Sequence, residues 1–264
     1  MLRSAWAFGV GGLIMLWSSA WVVLLSFLGS RAALCRSCES IARKWSRAVL
    51  RLAGVSVRVE GAANLAPDGA FIIIANHESW FDVWALAGSL PVDARFVAKK
   101  ELERVPLFGR AWRACGHVSI DRADHASAIE SMTKAGQRIK DEDLHIVFFA
   151  EGTRCSDGAL HPFKKGPFVI AIQGGIPIVP VGLVGSRRIM PKGSFRTRKG
   201  AITVRVGEPI SVEGMEHADR DRLRDATWDA VAKLRGGTGR TCCLPGEPPL
   251  DDVPEPSRSS SEGA

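Results

Sequence analysis

The chain has 264 residues, 46% of them hydrophobic and 24% charged, which excludes a disordered or fibrous protein and leaves room for one large domain with appendages. Its formal net charge of +7 points to an acidic partner, whether nucleic acid, anionic lipid headgroups or a phosphorylated small substrate, and does not choose among them. The cysteines (Cys35, Cys38, Cys115, Cys155 and the adjacent Cys242 and Cys243) form no small-domain disulfide framework, so reduced thiols in a cytosol-facing protein are expected.

From Ser4 to Ser30 no residue is charged, and the run exceeds the roughly 20 residues needed to cross a bilayer. It reads as a membrane anchor over residues 1–30. The rival, a cleaved signal peptide, has a shorter apolar core and a small-residue cleavage site that is not found here. Arg31, Arg36, Arg43, Lys44, Arg47 and Arg51 follow, with Glu39 the only acid among them, so the positive-inside rule puts the bulk of the chain in the cytoplasm. At 100° per residue, Ile41, Trp45, Ala48 and Leu52 share one helical face and Arg43, Lys44, Arg47 and Arg51 the other. Residues 31–54 therefore read as a basic amphipathic helix in a membrane interface, or else as a surface helix packed on the domain. Cys35-x-x-Cys38 in this helix has half the spacing of a zinc site, but Cys242-Cys243 would have to supply the rest from an unstructured tail.

Residues 55–235 have the pattern of an α/β domain. Residues 55–61 and 201–210 alternate like half-buried strands, while 70–76 and 145–152 are apolar runs ended by polar residues. Helical patterns at 79–90, 124–140 and 164–174 lie between them, so a largely parallel central sheet flanked by helices is predicted. Residues 236–264 are rich in Gly, Pro, Ser and acids and are expected to be disordered.

In open α/β sheets, ligands meet residues just beyond the carboxyl ends of strands. Two predicted strands end in polar clusters there: "NHESWFD" at 76–82 and "EGTR" at 151–154. His77 is a candidate general base if a carboxylate fixes its tautomer, and Asp82 is placed to do so. Equally, Ser79 and Asp82 fit the S-x-x-D start of a helix, and spacing does not decide between the two readings. Nothing like a G-x-S-x-G elbow surrounds Ser79. Arg154 has the fork that binds phosphate bidentately, and Gly152 leaves backbone amides open to a ligand, though Arg154 also has Glu151 and Asp157 as candidate ion-pair partners. Lys99, Lys100, Arg122, Lys164 and Lys165 add positive charge that a solvated face would explain as well.

Taken in order, "NHESWFD", "KKELERVPLFGRAWRACGHVSIDR" (99–122), "FFAEGTRCSDGALHPFKKG" (148–166) and "GIPIVPVGL" (175–183) resemble the four blocks of the 1-acyl-glycerol-3-phosphate acyltransferase family. The resemblance covers roughly residues 55–212. It implies a glycerolipid acyltransferase-like fold and transfer of a fatty acyl group from acyl-CoA or acyl carrier protein to the free sn-2 hydroxyl of lysophosphatidic acid. The product would be phosphatidic acid, made at the cytoplasmic face of the cell membrane. It assigns the base to His77 and its orienting carboxylate to Asp82, and associates Lys100, Arg122, Glu151, Gly152, Thr153 and Arg154 with the acceptor. Glu101, Pro106, Gly109 and Gly116 match the second block. Amides near Gly152 or a lysine of the second block are the expected oxyanion donors, and a groove near 176–183 the expected place for acyl chains. Ala150 stands where proline is common and Cys155 where serine is usual. No metal, no cofactor beyond the acyl donor and no nucleic acid is expected; another lysolipid acceptor, such as lyso-ornithine lipid, is the alternative.

Overall fold

The computed structural model describes residues 2–29, 31–65, 69–121, 136–139, 142 and 144–236. Arg122 and the tail beyond Gly236 lie outside the described residues, as does the predicted helix at 124–140 apart from a helical turn at 136–139. Two long helices, α1 (Leu2–Leu28) and α2 (Arg31–Ala53), precede the domain. The domain then runs β1 (Val55–Glu60), β2 (Ile72–Ala75), α3 (Phe81–Ser89), β3 (Ala94–Lys99), α4 (Phe108–Ala114), β4 (Val118–Ile120), β5 (His145–Phe149), α5 (Gly166–Gly174), β6 (Ile178–Val184), α6 (Ser186–Ile189), β7 (Gly200–Val206) and α7 (Arg220–Leu234).

The strands form one sheet in the order β1-β7-β6-β2-β5-β3-β4. All neighbours are parallel except β6 and β7, so β1 and β7 run against the other five strands. β2 sits centrally, Ile72 opposite Ile146 of β5 on one side and Ile178 of β6 on the other. A strand covered on both faces has no polar side to show, which is why "IIIA" reads as a run. Successive side chains alternate: Ile73 and Ala75 join the core under α2 and α3, while Ile72 and Ile74 join the core under α5 and α7. Ile72, Ile73 and Ile74 are each fully buried, which stabilises the fold by about 2 kcal/mol per side chain.

The connections leaving β2 and β5 set the position of the site. From β2 the chain crosses through α3 to β3, passing over β5; from β5 it crosses through α5 to β6, passing over β2 in the other direction. The two helices lie on opposite faces, so the loops at the carboxyl ends of β2 and β5 part and leave a crevice between them.

The apolar side of α2 meets protein. Leu50 and Ala53 enter the core beneath α3, and Val49 is also buried. The Trp45 indole donates to Gly11 O of α1 (2.9 Å), Arg47 donates to Gly88 O at the end of α3 (2.7 Å), and Arg43 bonds Leu90 O and Asp93. Two of the cations expected at a headgroup layer thus hold the last turn of α3, while Arg36, Lys44 and Arg51 remain exposed. Helix α1 packs on α2 and α4 through Val22 and its neighbours and exposes Trp6, Leu13, Trp17, Phe27 and Leu28 on its outer side.

The expectation of reduced thiols is corrected at one pair: Cys38 and Cys115 form a disulfide, 77 residues apart in sequence. Cys38 lies on the inner side of α2 and Cys115 ends α4, and both meet Val22 and Ala111 in a small apolar cluster. This also removes Cys38 from any zinc site. The expected acyl groove near 176–183 is corrected too, because Ile178 to Leu183 form a fully buried central strand. The apolar cavity lies instead between α1 and α2 on one side and α3 and α4 on the other, walled by Val22, Ile41, Trp45, Leu86, Phe96 and Trp112. His117 at its edge is kept neutral: burial first, then Arg95 and Arg138, holds the imidazole down to about 3, and Nδ1 accepts the Phe96 N–H (3.0 Å).

Candidate active site

The site begins where β2 stops. Asn76, fully buried, continues the ladder with its side chain: Nδ2 donates to Leu183 O (3.0 Å) and Oδ1 accepts from Leu183 N (2.7 Å). An amide side chain has the donor and acceptor of a peptide unit, so it pairs with β6 while the main chain turns away. His77 is the next residue. Its ring stacks on Phe149 at 3.9 Å, and its Nδ1 lies 2.9 Å from Asp82 Oδ2.

Asp82 Oδ2 accepts two further hydrogen bonds, from Glu78 N (2.7 Å) and Ser79 N (2.8 Å), while Ser79 Oγ accepts from Phe81 N (3.2 Å). The two readings of the S-x-x-D spacing are therefore both realised: one oxygen closes the first turn of α3 and holds the histidine as well. A carboxylate on Nδ1 fixes the proton there, so Nε2 carries the lone pair. Asp82 itself is fully buried, and its Oδ1 has no hydrogen bond among the described residues.

The second loop, after β5, supports the first. Glu151 is 5% exposed, and its carboxylate accepts from His77 N through Oε1 (2.8 Å) and from His161 N through Oε2 (3.0 Å). Burial pushes this carboxyl up to about 7, against the pull of those two N–H groups. Glu151, expected at the acceptor, ties the histidine backbone to the 151–161 loop. Cys155 N also donates to His77 O (2.7 Å).

Arg154 has no carboxylate partner among the described residues. Glu151 is held by backbone amides, and Asp157 takes the Cys155 thiol, Ala159 N and His161, so neither carboxylate pairs with the guanidinium. It lies over the exposed Trp80 ring, 5.0 Å from the centroid. Partial burial lowers its pKa, against the opposing pull of the Asp82 charge. Thr153 Oγ1 accepts from Lys192 Nζ (3.4 Å), and Gly152, at φ +77, has its own N–H taken by Phe149 O (3.0 Å). Lys100 follows β3 on the same carboxyl edge and meets Asp121 at 3.4 Å.

Two candidate nucleophiles are out of position. Cys155 is buried and donates to Asp157 and Ala159 O, and burial pushes its thiol up to about 12. Ser79, also buried, donates to Met190 O (2.7 Å). Beneath the site lies an ion pair that sequence reading missed. Arg235, at the end of α7, donates to Glu78 Oε1 (2.6 Å) and Gly158 O (3.0 Å), tying the two loops to the last helix. Its only sequence signal is Glu78 beside the histidine; nothing marks Arg235.

The Acyltransferase family model matches residues 56–184. The 1-acyl-sn-glycerol-3-phosphate acyltransferase of Limnanthes alba is 38% identical over 62% of this chain, and the chain spans 58% of that relative's length. A relative of the same name from Cocos nucifera is 33% identical over 74% of this chain and 67% of its own. The alpha form from Ovis aries is 30% identical over 80% of this chain and 75% of its own. This chain belongs to the 1-acyl-sn-glycerol-3-phosphate acyltransferase family. Among solved structures, the 1-acyl-sn-glycerophosphate (LPA) acyltransferase PlsC of Thermotoga maritima superposes with a TM-score of 0.75 at 26% identity, over 89% of this chain and 93% of that one. The likeness to that acyltransferase thus extends beyond the domain to most of the chain, including much of the helical N-terminal region. Within the family frame, the expected site residues His77, Asp82, Glu151, Gly152, Thr153 and Arg154 come together around one crevice, and Lys100 stands further along the same edge.

Proposed function

We propose that the protein transfers a fatty acyl group from an acyl thioester, acyl-CoA or acyl carrier protein, to the sn-2 hydroxyl of 1-acyl-glycerol-3-phosphate, giving phosphatidic acid. The observation that carries this reading is His77 held through Nδ1 by buried Asp82 at 2.9 Å, with Nε2 bearing the lone pair and an unpaired Arg154 beside it. The acceptor hydroxyl gives its proton to His77 Nε2 as its oxygen attacks the thioester carbonyl. The tetrahedral intermediate then collapses, and the departing thiolate takes that proton from the imidazolium and leaves as a thiol. Asp82 stabilises the imidazolium between the two steps.

No covalent acyl-enzyme is invoked, since Ser79 and Cys155 point away into hydrogen bonds. Arg154 receives the acceptor phosphate in its fork, with Lys100 adding charge from the next loop. The oxyanion takes a donor other than the Gly152 N–H, which is already bonded. Acyl chains enter the apolar cavity beneath α1 and α2, whose wall includes Leu86 on the helix that Asp82 begins. The span Phe8–Leu28 is apolar enough to enter a bilayer, with a mean hydropathy of 1.9, but one side of α1 is covered by α2 and α4. This supports a helix lying in one leaflet of the cell membrane, apolar side outward, with the catalytic domain on the cytoplasmic side where the exposed Arg36, Lys44 and Arg51 meet anionic headgroups.

The test is thiol release and lipid product formation by the purified protein, with lysophosphatidic acid set against lysophosphatidylcholine and lyso-ornithine lipid. Acyl transfer that depends on lysophosphatidic acid is expected. Thiol release without any acceptor, or preference for a lysolipid lacking a phosphate monoester, overturns the reading.

A further inference from the structure

Outside α1, the large apolar side chains that stand exposed among the described residues are Trp80 (44%), Val105 (38%), Leu107 (41%) and Phe195 (83%). All four lie on loops that follow a parallel strand: Trp80 after β2, Val105 and Leu107 after β3, Phe195 after β6. Parallel strands bring those loops to one edge, the edge of the candidate active site. Leu107 is also the one described residue other than glycine with a positive φ (60°), an unfavourable backbone for a residue with a Cβ.

Phe195 is the extreme case, and its loop is built to present it. Ser194 N donates to Pro191 O (3.1 Å) across a turn with Gly193 at φ +86, the conformation a type II turn demands at its third position. The Ser194 hydroxyl then accepts from Arg196 N (3.0 Å), so the ring is carried on a fixed tip. Below the tip, Arg198 N closes the loop onto Ile189 O (2.9 Å), Met190 O receives Ser79 Oγ, and Lys192 reaches Thr153. From Gly185 to Gly200 the chain carries Arg187, Arg188, Lys192, Arg196, Arg198 and Lys199 and no acid.

We propose that loop 190–199 is a second bilayer contact, separate from α1, which inserts Phe195 among anionic headgroups and holds the catalytic edge against the lipid surface. An aromatic ring flanked by cations matches both layers it would meet, the acyl boundary and the negative headgroups. The apolar points are spread over three loops rather than gathered in a groove, which suits a surface better than a protein partner. The proposal rests on the proposed function for the catalytic edge and the lipid surface, while the protection of the dye by vesicles is read without any acyl transfer.

The experiment places an environment-sensitive fluorophore on Phe195→Cys, in a chain also carrying Cys35→Ser, Cys242→Ser and Cys243→Ser, and follows its quenching by aqueous iodide. With phosphatidylglycerol vesicles the dye is expected to become protected, and with phosphatidylcholine vesicles much less so. Arg196→Ser with Arg198→Ser is expected to weaken partitioning to phosphatidylglycerol vesicles about 30-fold, from about 1 kcal/mol per cation. Phe195→Ser should lower acyl transfer on vesicles and leave the rate on a dispersed short-chain lysophosphatidic acid unchanged. A dye that stays open to iodide while the protein floats with vesicles overturns the proposal and leaves the α1 anchor standing. Protection by acidic acyl carrier protein but not by vesicles reassigns the loop to a protein partner. Failure of the unmodified protein to float at all removes both membrane contacts.

Discussion

Replacing Asp82 by asparagine isolates the charge from the shape. The amide oxygen can still accept from His77 Nδ1, Glu78 N and Ser79 N, so the turn into α3 is kept. The missing element is the negative charge 2.9 Å from the imidazole. At an effective dielectric of about 20 and a charge separation of about 4 Å, attraction to the imidazolium is about 4 kcal/mol. Lost only when the imidazolium forms, that energy corresponds to about 10³ in kcat. The amide NH2 falls where Oδ1 now sits, buried and without a partner, which costs about 1–3 kcal/mol of stability. Thiol release from acyl-CoA with saturating lysophosphatidic acid measures the rate, and a thermal melt measures the stability. A loss below tenfold, with the melt lowered as expected, would mean that Asp82 only shapes the turn and would refute its catalytic role.

Arg154→Ala is expected to raise KM for lysophosphatidic acid tenfold or more while leaving KM for acyl-CoA near its original value, because charge-assisted bonds to phosphate contribute about 1.5–3 kcal/mol; steady-state kinetics in both substrates decide it. Glu151 titrates in the folded protein near 7, up from 4.5, so it binds its proton more tightly when folded. Its contribution to stability is complete below about 4.5 and lost as pH rises through 7, on the order of 2–3 kcal/mol. Urea melts should therefore show wild type gaining on Glu151→Gln as pH falls from 8 to 5. Arg235→Met takes the guanidinium away from the buried Glu78 carboxylate and should cost about 3–5 kcal/mol, with part recovered in the double variant Glu78→Gln, Arg235→Met; a double-mutant cycle from denaturant melts reads the coupling.

The strands that could be read from sequence are those whose environment leaves a simple pattern. Edge-side β1 and β7 alternate, while central β2 is apolar throughout and β5 is apolar after His145. Short β4, with three residues, and β3, which carries a buried Arg95 paired with Glu39 of α2, leave no such pattern. The amphipathic face of α2 was legible, but periodicity reports only that a face is apolar and not whether protein or lipid covers it. In the site, the contact of His77 with Asp82 was legible because only four residues lie between them along a turn. The backbone bonds of Glu151 were not legible, since a strand-end glutamate looks the same whether it meets a ligand or a backbone amide. Arg235, 157 residues from Glu78, and the Cys38–Cys115 bond could be known only once the chain was folded.

Acyl transfer from acyl-CoA to lysophosphatidic acid by His77→Ala, set beside the unsubstituted protein at equal folded fraction and equal vesicle binding, tests the central claim most directly. The backbone bonds of this residue to Glu151 and Cys155 survive the change, but the stacking on Phe149 and the bond to buried Asp82 are lost, so the melt is expected to fall and the comparison is made at equal folded fraction. A loss of about 10³ or more in kcat is predicted, for want of the group that takes the hydroxyl proton. Retention of most of the activity would contradict the account.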